Sequence, residues 1–222
     1  MDHVEIIDLE TNTAKRCPKY PLKVAGATGG LIGSSPLICG GSSPRTAACY
    51  IIGQQETVAV TMTTPRSDAA SIVFNGRLFI AGDGSSTEWI SLEEGATPAG
   101  ALPISLYGHS MELIQSTTSK LILIIGGWSS SGGQSAKTFY GNPLDSPINW
   151  TDGPDLMEAR RYHASAIMNE GTSTSVIVSG GWPLTDTVEI LSITGSPQDW
   201  SWKQGKFLFC FSFSHPFVDF AA

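Results

Sequence analysis

The sequence predicts an all-β protein in which one four-stranded unit is used four times, and three observations carry that expectation. The first is composition. Charged residues make up 15% of the 222 residues, while 24 glycines and 13 prolines punctuate short apolar runs, a balance that suits sheets joined by tight turns better than helices. The second is an apolar strand closing on a small pair. It occurs at Leu37-Ile38-Cys39-Gly40-Gly41, Leu78-Phe79-Ile80-Ala81-Gly82, Leu123-Ile124-Ile125-Gly126-Gly127 and Val176-Ile177-Val178-Ser179-Gly180-Gly181. The third is spacing: Gly41, Gly82, Gly127 and Gly181 stand 41, 45 and 54 residues apart, in the range of propeller blades.

Within each unit the strands follow in a fixed order. A less apolar first strand covers 26–32, 69–74, 110–114 and 164–168. A turn follows, clearest at Asn75-Gly76, where both residues tolerate positive φ. The apolar strand comes second, and its glycines allow backbones to crowd and turn. Third strands are expected at 49–52, 88–92, 138–140 and 188–191, and short outer strands at 58–60, at Trp150 and at 200–202. Four antiparallel strands per unit describe the twisted sheets of a β-propeller. The blades span about 21–63, 64–98, 99–150 and 151–204, with 4–20 supplying the outer strands of a further blade, so the propeller covers 1–204.

The residues also carry a resemblance. The double glycine, Arg161-Tyr162-His163-Ala164 and Val188-Glu189-Ile190 resemble kelch repeats, and 150–190 is the fullest copy, with Trp150, Met157, Arg160 and His163 in order. The opening run from Val4 to Asn12 resembles the third kelch strand and its turn. Other copies keep pieces: Pro65-Arg66-Ser67-Asp68-Ala69 has Asp where the repeat has His, Tyr107-Gly108-His109-Ser110 lacks the Arg, and the first unit has Lys23 and no His. The resemblance, to kelch and galactose-oxidase-like propellers, covers residues 4–204. It implies a kelch-type β-propeller of four four-stranded blades plus a partial blade, an incomplete ring beside the six or seven blades usual in that family. Residues 205–222 hold six of the nine phenylalanines, with Phe207, Phe209, Phe211 and Phe213 alternating. They read as a divergent tail in preference to a closing pair of inner strands.

Several function classes are disfavoured. A net charge of −7 and a pI near 5.0, with Lys15-Arg16 as the densest basic pair, argue against nucleic acid. Cys17, Cys39, Cys49 and Cys210 form no CxxC pair and have no His at metal-ligand spacing, so they read as free thiols in preference to a disulfide. The first residues are not a signal peptide and no run reaches the roughly 20 apolar residues of a membrane span. The default location is therefore cytoplasmic, with no membrane partner. No phosphate loop, G-x-S-x-G elbow or H-E-x-x-H helix is present.

The remaining candidates sit in loops. His109 and His163 occupy the same place in two blades, which points to a repeated structural role. Arg66, Arg160 and Arg161 open inner strands, either paired with Glu88 and Glu189 or forming a basic rim. Trp128 and Trp182 follow glycine pairs and start loops on one face, the face that also carries Arg45 and Asp83. The expected partner-binding set is therefore Arg45, Arg66, Asp83, Trp128, Arg161 and Trp182, with no catalytic residue, metal or cofactor. The resemblance implies a non-catalytic interaction module, a scaffold or adaptor, presenting one face to a protein or a short acidic peptide. The alternatives are a kelch-like oxidase or epimerase, or a truncated fragment. Such an oxidase needs Tyr and His ligands to a metal and a Tyr beside a Cys. Cys49-Tyr50 are adjacent, but on a strand they point to opposite faces.

Overall fold

Successive side chains on a strand point to opposite sides, and here the apolar strands of the two middle blades divide their residues between two neighbouring sheets. In the computed structural model, which describes residues 4–53, 57–115, 119–171 and 173–205, the chain opens with a hairpin of β1 (Glu5–Asp8) and β2 (Thr13–Arg16). Blade 1 follows, from β3 (Thr28–Ile32), β4 (Ser35–Cys39), β5 (Ala48–Ile51) and β6 (Val60–Thr61). Blade 2 is β7 (Ala70–Phe74), β8 (Arg77–Ala81), β9 (Gly84–Ser91) and β10 (Gly95–Tyr107). Blade 3 begins with β11 (Ser110–Gln115) and β12 (Lys120–Ile125). After a small hairpin, β13 (Trp128–Ser129) and β14 (Gly133–Gln134), it ends with β15 (Thr138–Gly141) and β16 (Thr151–Asp152). Blade 4 is β17 (Ala164–Glu170), β18 (Ser173–Ser179), β19 (Val188–Ile193) and β20 (Trp202–Gly205). The strands of each blade pair in sequence order, innermost to outermost. The Phe-rich tail reading falls on 206–222, outside the described residues.

Two expectations need correction. Blade 2 has a 13-residue outer strand where the sequence indicated none, because Pro98, Gly100 and Pro103 interrupt its pattern. The pairing of β10 with β9 shifts register at Pro98/Gly100 and Ala101/Leu106, as bulged edge strands do. Its end pairs Tyr107 with Trp128, so the β13–β14 hairpin of blade 3 extends blade 2 to six strands. Second, Cys39 and Cys49 stand directly opposite in the β4–β5 register and form a disulfide, contrary to the free-thiol reading. Cys17 is a free, partly exposed thiol, and Cys210 lies outside the described residues.

Three apolar clusters hold the blades together. Leu37, Cys39, Leu78, Ile80 and Ile90 pack blade 1 on blade 2. Phe79, Trp89, Leu106, Ile124 and Phe139 pack blade 2 on blade 3. Leu123, Tyr140, Val176, Val178 and Trp202 pack blade 3 on blade 4. Around the axis, β3, β7, β11 and β17 stand side by side. A chain of backbone hydrogen bonds also crosses them, from Asp68 N–H to the Gly26 carbonyl (2.8 Å), Gly108 to Asp68 (2.8 Å) and Tyr162 to Gly108 (2.7 Å). Among the described residues β17 and β3 make no comparable contact, so the ring is open there. No described helix is long and apolar enough to cross a membrane.

Candidate functional site

The site grows from the segment entering each inner strand. Arg66 and Arg160 stand two residues before Asp68 and Tyr162, and both are fully buried (1% and 0% exposed). Arg66 Nε meets Glu88 Oε1 at 2.9 Å, and its Nη1 donates to the Gly82 carbonyl at 2.7 Å. Arg160 Nη2 meets Glu189 Oε1 at 2.9 Å, and its Nη1 donates to the Gly180 carbonyl at 3.1 Å. Each glutamate also accepts backbone N–H groups from the preceding blade connection: Thr63 for Glu88, Met157 and Glu158 for Glu189. Buried charges persist when they are paired and hydrogen-bonded in this way. The expected Arg–Glu pairs therefore form, and Arg66 leaves the partner-binding set because its guanidinium is spent inside the fold.

The repeated histidines pack where the glycines leave room. The register places Gly82-Asp83, and not Ala81-Gly82, opposite the double glycines of the other blades. A Cβ on Gly126 (φ 61°) would meet the Arg160 carbonyl oxygen at 2.7 Å and His163 Cε1 at 2.9 Å. One on Gly82 would meet His109 Cε1 at 2.5 Å. Burial pushes the His109 imidazole down to about 4, offset in part by the nearby Ala81 carbonyl. His163 is pushed to about 3 by burial and then by the charges of Arg160 and His109. Both rings are neutral at physiological pH, and His163 Nε2 lies 2.9 Å from the Ser110 hydroxyl.

Along the axis the inner strands enclose a cavity of about 400 Å3, lined among others by Thr28, Ser71, Ser110, Glu112 and Ser165, with Asp68 and Tyr162 also on its wall. The Ser165 hydroxyl donates to Glu112 Oε1 at 2.6 Å, while burial pushes the Glu112 carboxyl upward. Asp68 and Tyr162 adopt φ of 51° and 52°, where blades 1 and 3 have Gly26 and Gly108. Burial, and then the Asp83 charge, push the Asp68 carboxyl up, against the pull of Arg161.

Arg161 differs from its two relatives. Its Cζ lies 4.4 Å from the Trp128 ring centroid, 5.3 Å from that of Tyr162 and 6.0 Å from that of Tyr107, all within cation–π range. Its Nη1 donates to the Tyr107 hydroxyl at 3.2 Å, and its buried Nε has no hydrogen-bond partner. Among the described residues no carboxylate lies within ion-pair distance of it. Arg161 and Trp182 exchange backbone hydrogen bonds of 3.1 and 2.7 Å, and Trp182 is 49% exposed. Arg45 pairs with Asp83, which also accepts the Ser67 N–H at 2.8 Å. Of the residues expected from sequence, Arg161, Trp128 and Trp182 come together and Arg45 meets Asp83. Tyr107, Tyr162 and Asp68 were missed; the signal was Asp and Tyr standing where other units have glycine.

These sheets and their axial order define a kelch or galactose-oxidase-like β-propeller fold, open between blades 4 and 1 among the described residues. Solved structures share it, among them the following two. One is a fungal alcohol oxidase of the AA5 family in complex with copper, at 13% identity and TM-score 0.67, matched over 92% of this chain and 49% of its own. The other is YjhT, at 14% identity and TM-score 0.64, matched over 86% of this chain and 67% of its own. The chain thus spans about half the length of the oxidase. No protein-family model and no curated protein sequence matches it.

The oxidase overturns the expectation of a chain without catalysis. The same fold carries a copper enzyme, which removes the ground for excluding catalysis. The described residues do not, however, fit a copper ion. Among them no three His, Cys, Asp or Glu side chains converge as ligands. Cys49, beside Tyr50, has its sulfur in the disulfide, and Tyr50 is packed edge-on against Tyr20 at 5.4 Å.

Proposed function

We propose that the chain is a protein-binding module whose Arg161–Trp128–Trp182 face receives an acidic peptide segment. The observation that carries this reading is Arg161 itself. Two neighbouring arginines are buried against glutamates, whereas this one is held among aromatic rings and, among the described residues, has no carboxylate within ion-pair distance. A carboxylate of the partner would meet the partly exposed Arg161 guanidinium in a charge-assisted contact, and Trp182 offers apolar area beside it. Fluorescence anisotropy with labelled pools of acidic peptides, and the same pools with Asp and Glu replaced by Asn and Gln, tests it. The acidic pool binds and the amide pool does not, and Trp182→Ala weakens binding at least tenfold. Equal binding of both pools contradicts the reading.

A second reading, catalysis, is favoured by the fold shared with a copper alcohol oxidase. Incubating copper-supplemented protein with a panel of primary alcohols and measuring aldehyde separates the two. Turnover above free copper supports catalysis, and its absence leaves the binding reading.

A further inference from the structure

We propose that the axial cavity is a binding site for a small organic cation carrying a primary ammonium group, with Glu112 as its counter-ion. This site adjoins the Arg161 face at Tyr162 but centres on Glu112, and it goes beyond the peptide-binding reading. At about 400 Å3 the cavity falls in the range of small-molecule sites. No lysine or arginine lines it, whereas Asp68 and Glu112 do. Arg161 offsets the Asp68 charge, which leaves Glu112 as the uncompensated one.

Glu112, part-buried on the cavity wall, contrasts with the two buried glutamates. Glu88 and Glu189 each hold an arginine and backbone N–H, whereas among the described residues Glu112 receives one hydrogen bond, from Ser165. Among the described residues no cation lies within ion-pair distance of it. A carboxylate has about four acceptor positions, and one part-buried without a counter-charge gains from a cation brought to it.

The rest of the wall suits a donor-rich guest. His109 and His163 line the same cavity at 7% and 9% exposure, and the Nδ1 of each has no hydrogen-bond partner. Their depressed pKa values make them neutral rings, not cations that would compete for Glu112. The hydroxyls of Ser110 and Ser165 add acceptors. An ammonium group has three donors and no acceptor, so its charge meets Glu112 while its remaining N–H groups meet the wall hydroxyls. An anion would face the carboxylate, and a neutral diol would gain hydrogen bonds without charge pairing.

The test is calorimetric titration of the full chain with three four-carbon probes at fixed ionic strength: 1,4-diaminobutane, 1,4-butanediol and succinate. The diamine binds with one-to-one stoichiometry, while the diol and the diacid do not. Glu112→Gln weakens diamine binding at least tenfold, and Glu93→Gln, an exposed control, leaves it unchanged. Glu112→Asp keeps the charge on a shorter arm and falls between wild type and Glu112→Gln, which keeps the test decisive if the glutamine variant folds poorly. Absence of saturable diamine binding, or equal affinity in wild type and Glu112→Asp together with Glu112→Gln, overturns the proposal. Acidic-peptide binding at Arg161 is read separately and is unaffected by Glu112→Gln.

Discussion

The interface between blades 2 and 3 and the one between blades 3 and 4 fill the same position with opposite chemistry. Between blades 3 and 4 it holds Arg160 and Glu189, and the blade 1–2 interface repeats this with Arg66 and Glu88. Between blades 2 and 3, Leu106 stands where the arginine would be, two residues before Gly108. Phe139 lies opposite Ile124, as Glu189 lies opposite Val178. Leu106 and Phe139 are 0% and 2% exposed. An apolar pair thus does the packing that an ion pair does next door, as expected where desolvation offsets most of the Coulombic gain. What the ion pairs add is connection: each glutamate ties down the backbone entering its blade and each arginine caps a glycine carbonyl.

That contrast sets the order of expected effects. Arg160→Leu leaves Glu189 buried without its cation and lowers unfolding free energy by ~3–5 kcal/mol in urea melts. The double change Arg160→Leu with Glu189→Phe, copying the blade 2–3 interface, recovers only part of this. It still orphans the Met157 and Glu158 N–H groups and the Gly180 carbonyl. Full recovery would show those backbone ties to be unimportant.

Acid comes next. An unfolded imidazole protonates near 6.5, but native His109 stays neutral to about 4, so the unfolded chain binds more protons across that window. Stability present at neutral pH is lost as pH falls from 6.5 to 4, by on the order of 3 kcal/mol for this group. The raised carboxyls of Asp68 and Glu112 act in the opposite sense, because the native chain takes up their protons first. A denaturation midpoint unchanged between pH 7 and pH 4.5 would remove the buried imidazoles from the account.

Gly126→Ala, forced against the Arg160 carbonyl and the His163 ring at positive φ, costs about 2–4 kcal/mol. Gly76→Ala, at a φ of 73° with nothing within 4 Å of the new Cβ, costs only the backbone strain of about 1–2 kcal/mol. Equal losses would mean that the close approach does not matter. The smallest effect is Arg45→Ala: a surface pair, 54% and 20% exposed, contributes no more than about 1 kcal/mol, read from the same melts.

Most of this architecture was legible in the sequence because it depends on local pattern. The apolar strands, the Asn75-Gly76 turn with φ of 49° and 73°, and the in-phase Arg and Glu all announce themselves within one unit. What stayed hidden depends on register between strands. The Cys39–Cys49 disulfide follows from which residues of β4 and β5 stand opposite. The long β10 and its pairing with Trp128 are concealed by two prolines and bulges. The difference between Arg160 and Arg161, adjacent in sequence, appears only when one turns into the blade and the other onto the loop face.

That difference is also the account's most direct test. Arg160→Ala and Arg161→Ala are each assayed for thermal melting and for acidic-peptide affinity by anisotropy. Arg160→Ala melts well below wild type, while Arg161→Ala melts within a degree or two of it and loses at least tenfold in affinity. An Arg161→Ala protein that binds the peptide as wild type does, or melts like Arg160→Ala, would contradict the assignment of Arg161 to the binding face.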